Sequence, residues 1–111
     1  MTSPWLMLLV AAAFEVAWAV GLKYTAGYTR LWPTVLTVAA MLASFVFLEF
    51  AVRPRPVGEI PIGTGYAIWT GIGAVGTAAL GIILFGEAAT LARLGSIALI
   101  VAGVVGLKLA E

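Results

Sequence analysis

Cysteine and histidine are both missing from this sequence. Their absence removes disulfides, thiol nucleophiles, zinc sites of the usual kind and the commonest general base, which argues against hydrolytic catalysis. Charge is scarce as well, with six Lys and Arg against five Asp and Glu in 111 residues and a formal net charge of +1. The basic residues are scattered, and no basic run exists that would neutralise a phosphate backbone, so nucleic acid is not an expected partner. No internal repeat or low-complexity segment stands out. Nothing in the residues calls for a cofactor or a metal, and Ser3 and Ser96 have no base beside them to make a nucleophile.

What is there is apolar: 63% of the residues are hydrophobic and the mean hydropathy is +1.14, far from the average of soluble chains. Four apolar segments, about Pro4–Leu22, Leu31–Val52, Ile62–Phe85 and Leu91–Leu109, are each long enough to cross a bilayer as a helix. The chain therefore reads as an all-α integral membrane protein, a single domain of four transmembrane helices over residues 1–111. Ala17-Trp18-Ala19 imitates a signal-peptide cleavage site, but the segment lacks a basic start, contains Glu15 and is followed by further spans. It is expected to be mature structure.

Three polar stretches separate the spans. In the first, 23–30, Gly27 is the expected helix-ending residue, and Tyr24, Tyr28 and Trp32 are expected interfacial anchors. The second, 53–61, contains closely spaced X-Pro steps that exclude a continuous helix and predict an exposed, partly extended loop. The third, 86–90, is a tight turn.

Glu15 is the residue to explain, being the only charged group between Pro4 and Leu22. At the depth of a membrane midplane an acid costs roughly 2.5 to 3.5 kcal/mol, so such residues face a partner or a wet cavity and mark ion or substrate pathways. A carboxyl there can hold a proton or exchange it for a cation, and a guanidinium suits it through planar, bidentate hydrogen bonding. A structural acid bonded between helices is the alternative. Ala11, Ala12, Trp18, Ala19 and Leu22 share its helix face. Trp18, Ser44, Tyr66 and Trp69 are the other polar-capable side chains well inside the spans, placed to orient Glu15 or line a pocket, with helix packing as the alternative for each. Gly71-Ile72-Gly73 is a candidate bend in the third helix, or else a packing surface. Glu49 lies one turn from Arg53 and is expected to reach the interface beside it, while Glu59, Glu87 and Glu111 read as ordinary solvated charges.

Two patterns concern assembly. Ala98, Ala102 and Gly106 recur every four residues on the last helix, the small-residue spacing that lets two helices approach closely. The loop charges tie: Arg53, Arg55 and Lys108 on the side of the termini stand against Lys23, Arg30 and Arg93 on the other. With no Lys/Arg excess to set orientation, insertion both ways and an antiparallel dimer become possible, two Glu15 side chains meeting near a two-fold axis.

These residues resemble the small multidrug resistance transporters over nearly the whole length. The resemblance rests on Glu15, on 23–33, on Ser44-Phe45 and on 61–73. Glu15-Val16-Ala17-Trp18-Ala19, followed by Leu22-Lys23-Tyr24, is similar to the guanidinium-exporting subtype, since quaternary-ammonium exporters usually have a small residue where Trp18 stands. The resemblance implies an antiparallel, dual-topology dimer in the cell inner membrane that exports guanidinium or small guanidinyl cations by alternating access. In it each Glu15 exchanges protons for substrate, and Trp18, Ser44, Tyr66 and Trp69 form the surround that orients it. Gly71-Ile72-Gly73 would be the bend that switches access, and Gly95 to Gly103, with Ala98 and Ala102, the dimerising part of the last helix. The partner would be a second copy of the chain or a homologous subunit. A multidrug exporter of the same family, a small dual-topology ion channel and a non-transporting heterodimer subunit are the competing readings. The chain departs from the family pattern at Glu49, where a neutral residue is more common, and in 53–60, which is several residues longer than usual.

Overall fold

The computed structural model describes residues 3–55 and 59–110. It contains four α-helices: α1 Pro4–Gly21, α2 Leu31–Val52, α3 Ile62–Phe85 and α4 Leu91–Leu109. All four are long and apolar enough to cross a membrane. Local chemistry sets several of their ends. Ser3 caps α1 by accepting a hydrogen bond from the Trp5 N–H (3.2 Å), with Pro4 at the first helical position, where its missing N–H costs nothing. Thr90 caps α4 in the same way, accepting from the Arg93 N–H at 3.2 Å. Gly86 ends α3 in the left-handed region, at φ 65°.

The end of α1 differs from the expectation drawn from Gly27. The α-helix stops at Gly21 and tightens into a single 3₁₀ turn over Leu22–Tyr24. Gly27 belongs to the turn that follows, where Ala26, Gly27 and Tyr28 all have positive φ. Buried Thr25 braces that turn: its carbonyl accepts from the N–H groups of Thr29 (3.0 Å) and Arg30 (3.2 Å), and its hydroxyl donates to the Leu22 carbonyl at 3.1 Å. Of the loop expected to be extended between α2 and α3, residues 56–58 lie outside the described residues. Around them, Arg53 and Arg55 both stack on the Phe50 ring, at 4.7 and 4.6 Å, and the Arg55 guanidinium also donates to the Phe50 carbonyl.

Packing is closest between α1 and α2, with α3 laid against both and α4 resting on α3. Among the described residues the buried ones are few and mostly small: Leu8, Ala11, Ala12, Ala51, Ile60, Ile68 and Trp69, with Thr25, Thr37 and Ser44 and the α3 glycines Gly65, Gly73 and Gly81. In lipid no hydrophobic force draws helices together, so close approach across small residues and interhelical hydrogen bonds must do it. One such relay ties three helices. The Ser44 hydroxyl of α2 donates to the Ala11 carbonyl of α1 at 2.7 Å and accepts the Trp69 indole N–H of α3 at 3.0 Å. The fourth helix has no buried residue.

Candidate functional site: a carboxyl seated on a glycine

Glu15 and Gly73 each stand eleven positions after the first residue of their helices, Pro4 and Ile62. At 1.5 Å per residue both are about 16 Å along, near the middle of a bilayer-length helix. They meet there. A Cβ built on Gly73 would collide with the Glu15 side chain from Cγ to Oε1, so the carboxyl occupies space that exists only because residue 73 lacks a side chain. One turn on, Gly76 accommodates Val16 in the same manner. Thus α1 and α3 cross at the acid itself.

The Glu15 Oε1 atom is enclosed and has no hydrogen-bond partner, and the Trp18 indole N–H, one turn away, is also buried and unpaired. An unsatisfied polar atom away from water carries a penalty of about 1–3 kcal/mol, more for a charged group. The carboxylate oxygen requires a donor: its own proton, water or a cation bearing N–H groups. The indole requires an acceptor.

Of the four residues expected around Glu15, Ser44 and Trp69 are hydrogen-bonded to each other. Tyr66 packs on Trp69 with ring centroids 5.5 Å apart, and Phe45 lies 6.2 Å from the same indole. Trp18, Tyr66 and Trp69 share one cleft of about 560 Å³, whose walls also include Phe45, Leu48, Glu49, Val52 and Ile62. No hydrogen bond joins any of the four to Glu15 among the described residues. The cleft is aromatic and open on one side, where Tyr66 is 56% exposed although it lies inside a span. The sequence does not group Phe45 and Glu49 with this site. Both stand on α2 at one-residue and five-residue offsets from Ser44, a relation that helical periodicity alone does not turn into a shared cavity.

Both glycines of the candidate bend in α3 have packing partners. Gly71 faces α4, where a Cβ would lie 2.6 Å from Val104 Cγ2, and Gly73 faces Glu15; α3 continues as helix through both. On α4 the pattern reverses. Gly95, Gly103 and Gly106 have nothing within 4 Å of a built Cβ, and Ala98 and Ala102 are exposed. At the end of α2, Glu49 pairs with Arg53 at 2.6 Å, as their one-turn spacing predicts. No group of three or more potential metal-ligating His, Cys, Asp or Glu side chains occurs among the described residues.

Residues 3–100 match the family model described as Small Multidrug Resistance protein. The chain belongs to the small multidrug resistance family. Within it, the chain is 56% identical over 105 residues to a protein named guanidinium exporter from Citrobacter freundii, covering 95% of each. Proteins of the same name from Proteus vulgaris and Yersinia pestis are 56% and 54% identical over 107 residues, covering 96% of this chain and 98% of theirs. Family membership and the four apolar helices make this small multidrug resistance protein a multi-pass membrane protein.

Proposed function

We propose that this small multidrug resistance protein exports guanidinium or small guanidinyl cations across the cell inner membrane in exchange for protons, with Glu15 as the shared binding group. The observation that carries the reading is the enclosed, unpartnered Oε1 of Glu15, seated on Gly73 and one turn from an unpaired indole. A guanidinium presents planar N–H pairs that match a carboxylate bidentately. The names of the relatives support the same substrate class. Proton and cation compete for one carboxyl: the protonated acid cannot pair with a cation, so loading one side with protons releases substrate there.

The working unit is a dimer, with two chains inserted in opposite directions. The uncovered small-residue face of α4 supports dimerisation, and the tied loop charges support dual topology. Alternating access then consists of the two chains exchanging conformations, with α3 yielding around Gly71-Ile72-Gly73, where it touches both Glu15 and α4.

Guanidinium uptake into liposomes under an imposed pH gradient tests the proposal. The native protein should accumulate guanidinium against its gradient, and Glu15→Gln should slow transport by about a hundredfold or more. Apparent guanidinium affinity should fall as pH falls, because protons then occupy the site. Normal transport by Glu15→Gln, or binding indifferent to pH, would end this reading. The aromatic walls of the cleft favour a second reading, a quaternary-ammonium or multidrug exporter, since faces of Trp and Tyr attract such cations. Competition decides between them: bulky hydrophobic cations displacing guanidinium efficiently would favour the second.

A further inference from the structure

Glu49 stands where the aromatic cleft meets the end of the helix bundle. It is four residues before Arg53, the residue that caps the end of α2, so its Cα lies only about 6 Å along the helix from that cap. The cleft it lines runs inward past Ile62, Tyr66 and Trp69, which succeed one another along the first three turns of α3. Trp69 precedes Gly73, the seat of Glu15, by one turn, and Trp18 follows Glu15 by one turn. One wall of a single cleft therefore leads from Glu49 to the two tryptophans flanking Glu15.

The ligand already held by Glu49 is a guanidinium, that of Arg53, with Nη2 at 2.6 Å from Oε1. Both side chains are substantially exposed, 47% for Arg53 and 61% for Glu49, so no packing locks the pair and the bond is readily exchanged. In the same position the Arg53 guanidinium also lies 4.7 Å over the Phe50 ring. Release from Glu49 does not leave it without contacts. Arg55 occupies the same ring and donates to the Phe50 carbonyl, which fixes the ring as a platform.

We propose that Glu49 is a second docking carboxylate for guanidinyl cations, which a substrate reaches by displacing the Arg53 side chain before passing along the aromatic cleft toward Glu15. Arg53 acts as a tethered competitor whose pairing sets the effective affinity of the entrance. This inference rests on the export reading above and adds a specificity-determining residue to it.

The test is guanidinium transport by the full-length protein in liposomes, with substrate offered on either side and KM separated from maximal rate. Glu49→Gln should raise KM for guanidinium about threefold to fivefold at low ionic strength with the maximal rate unchanged, and Glu49→Asp should restore most of the loss. Arg53→Gln frees the carboxylate and should lower KM about twofold, a gain that misfolding cannot produce. Both shifts should shrink at high salt, because the docking site is half-exposed. Unchanged KM in both variants, or shifts in the same direction, would overturn the docking role, as would a loss of maximal rate in Glu49→Gln at constant KM. A native protein that moves no guanidinium in this assay overturns the export reading itself, and the docking role with it.

Discussion

Glycine does opposite things on the third and fourth helices. On α3 three glycines near the middle of the helix are occupied seats: the Glu15 carboxyl fills the space at Gly73, Val16 that at Gly76 and Val104 that at Gly71. On α4 the seats are open, with nothing within 4 Å of a Cβ built at Gly95, Gly103 or Gly106, and no residue of the helix is fully buried. A membrane helix gains little by exposing glycine to lipid, because close approach is what small residues offer there. The difference teaches that small residues midway along α3 serve packing within the chain, whereas those of α4 do not.

The sharpest way to break that comparison is to add one methyl group to each helix. Gly73→Ala should reduce transport by about tenfold to a hundredfold, roughly 1.4 to 2.7 kcal/mol of lost function, because the new Cβ must push away a carboxyl that has no other anchor. Gly103→Ala, measured in the same liposomes, should leave the fold of the single chain intact. Equal tolerance at both positions would mean that the Glu15 seat is not needed for transport.

A larger intrusion on α4 sharpens the other half. Replacing Ala102 and Gly106 together by Leu should weaken dimerisation by at least about tenfold, since the side chains hold the facing backbone away. Light scattering of the detergent-solubilised protein reads this directly. A dimer of native strength would place the contact on another face and leave the open glycines without a purpose.

Much of this arrangement is legible in the sequence, and the reason for the gaps is physical. The four spans follow from hydropathy, and the Glu49–Arg53 pair follows from i,i+4 spacing. Glu15 is conspicuous because an acid is costly in lipid. Its seat on Gly73 is not legible in the same way. A water-soluble helix advertises its inward face by an apolar stripe, but these helices are apolar all round, so periodicity does not say which glycine of α3 meets α1. Counting from the expected helix starts, Pro4 and Ile62, puts residues 15 and 73 at one depth, but depth alone does not say which way either residue faces. The Ser44 relay was half visible: Ser44 and Trp69 stand out as buried polar side chains, whereas the Ala11 carbonyl, a backbone group, carries no signal in residue type.

That relay offers a smaller effect where α1, α2 and α3 meet. Ser44→Ala removes the bond to the Ala11 carbonyl and leaves the Trp69 N–H unpaired at a site only 7% exposed. Intramembrane hydrogen bonds average about 0.6 kcal/mol, up to about 1.7, so a loss of roughly 1–2 kcal/mol is expected, read by denaturant titration in detergent. A thermoneutral change would show that α1, α2 and α3 are held by packing alone.

The smallest expected effect lies where glycine is wanted and mostly missing. The turn between α1 and α2 keeps three successive residues at positive φ, Ala26 at 49°, Gly27 at 70° and Tyr28 at 67°, with glycine only in the middle. A left-handed conformation costs a residue with a Cβ about 1–2 kcal/mol, and glycine avoids that cost while adding freedom to the unfolded chain. The two terms oppose each other, so Ala26→Gly should stabilise by only about 0.5 kcal/mol and Gly27→Ala should destabilise by about 1 kcal/mol. Thermal unfolding of the two variants in one detergent measures both signs together. Stabilisation by Gly27→Ala would mean that the turn relaxes to another conformation, and that the Thr25 bonds to Thr29 and Arg30, rather than the backbone preference of residue 27, set the path of the chain between α1 and α2.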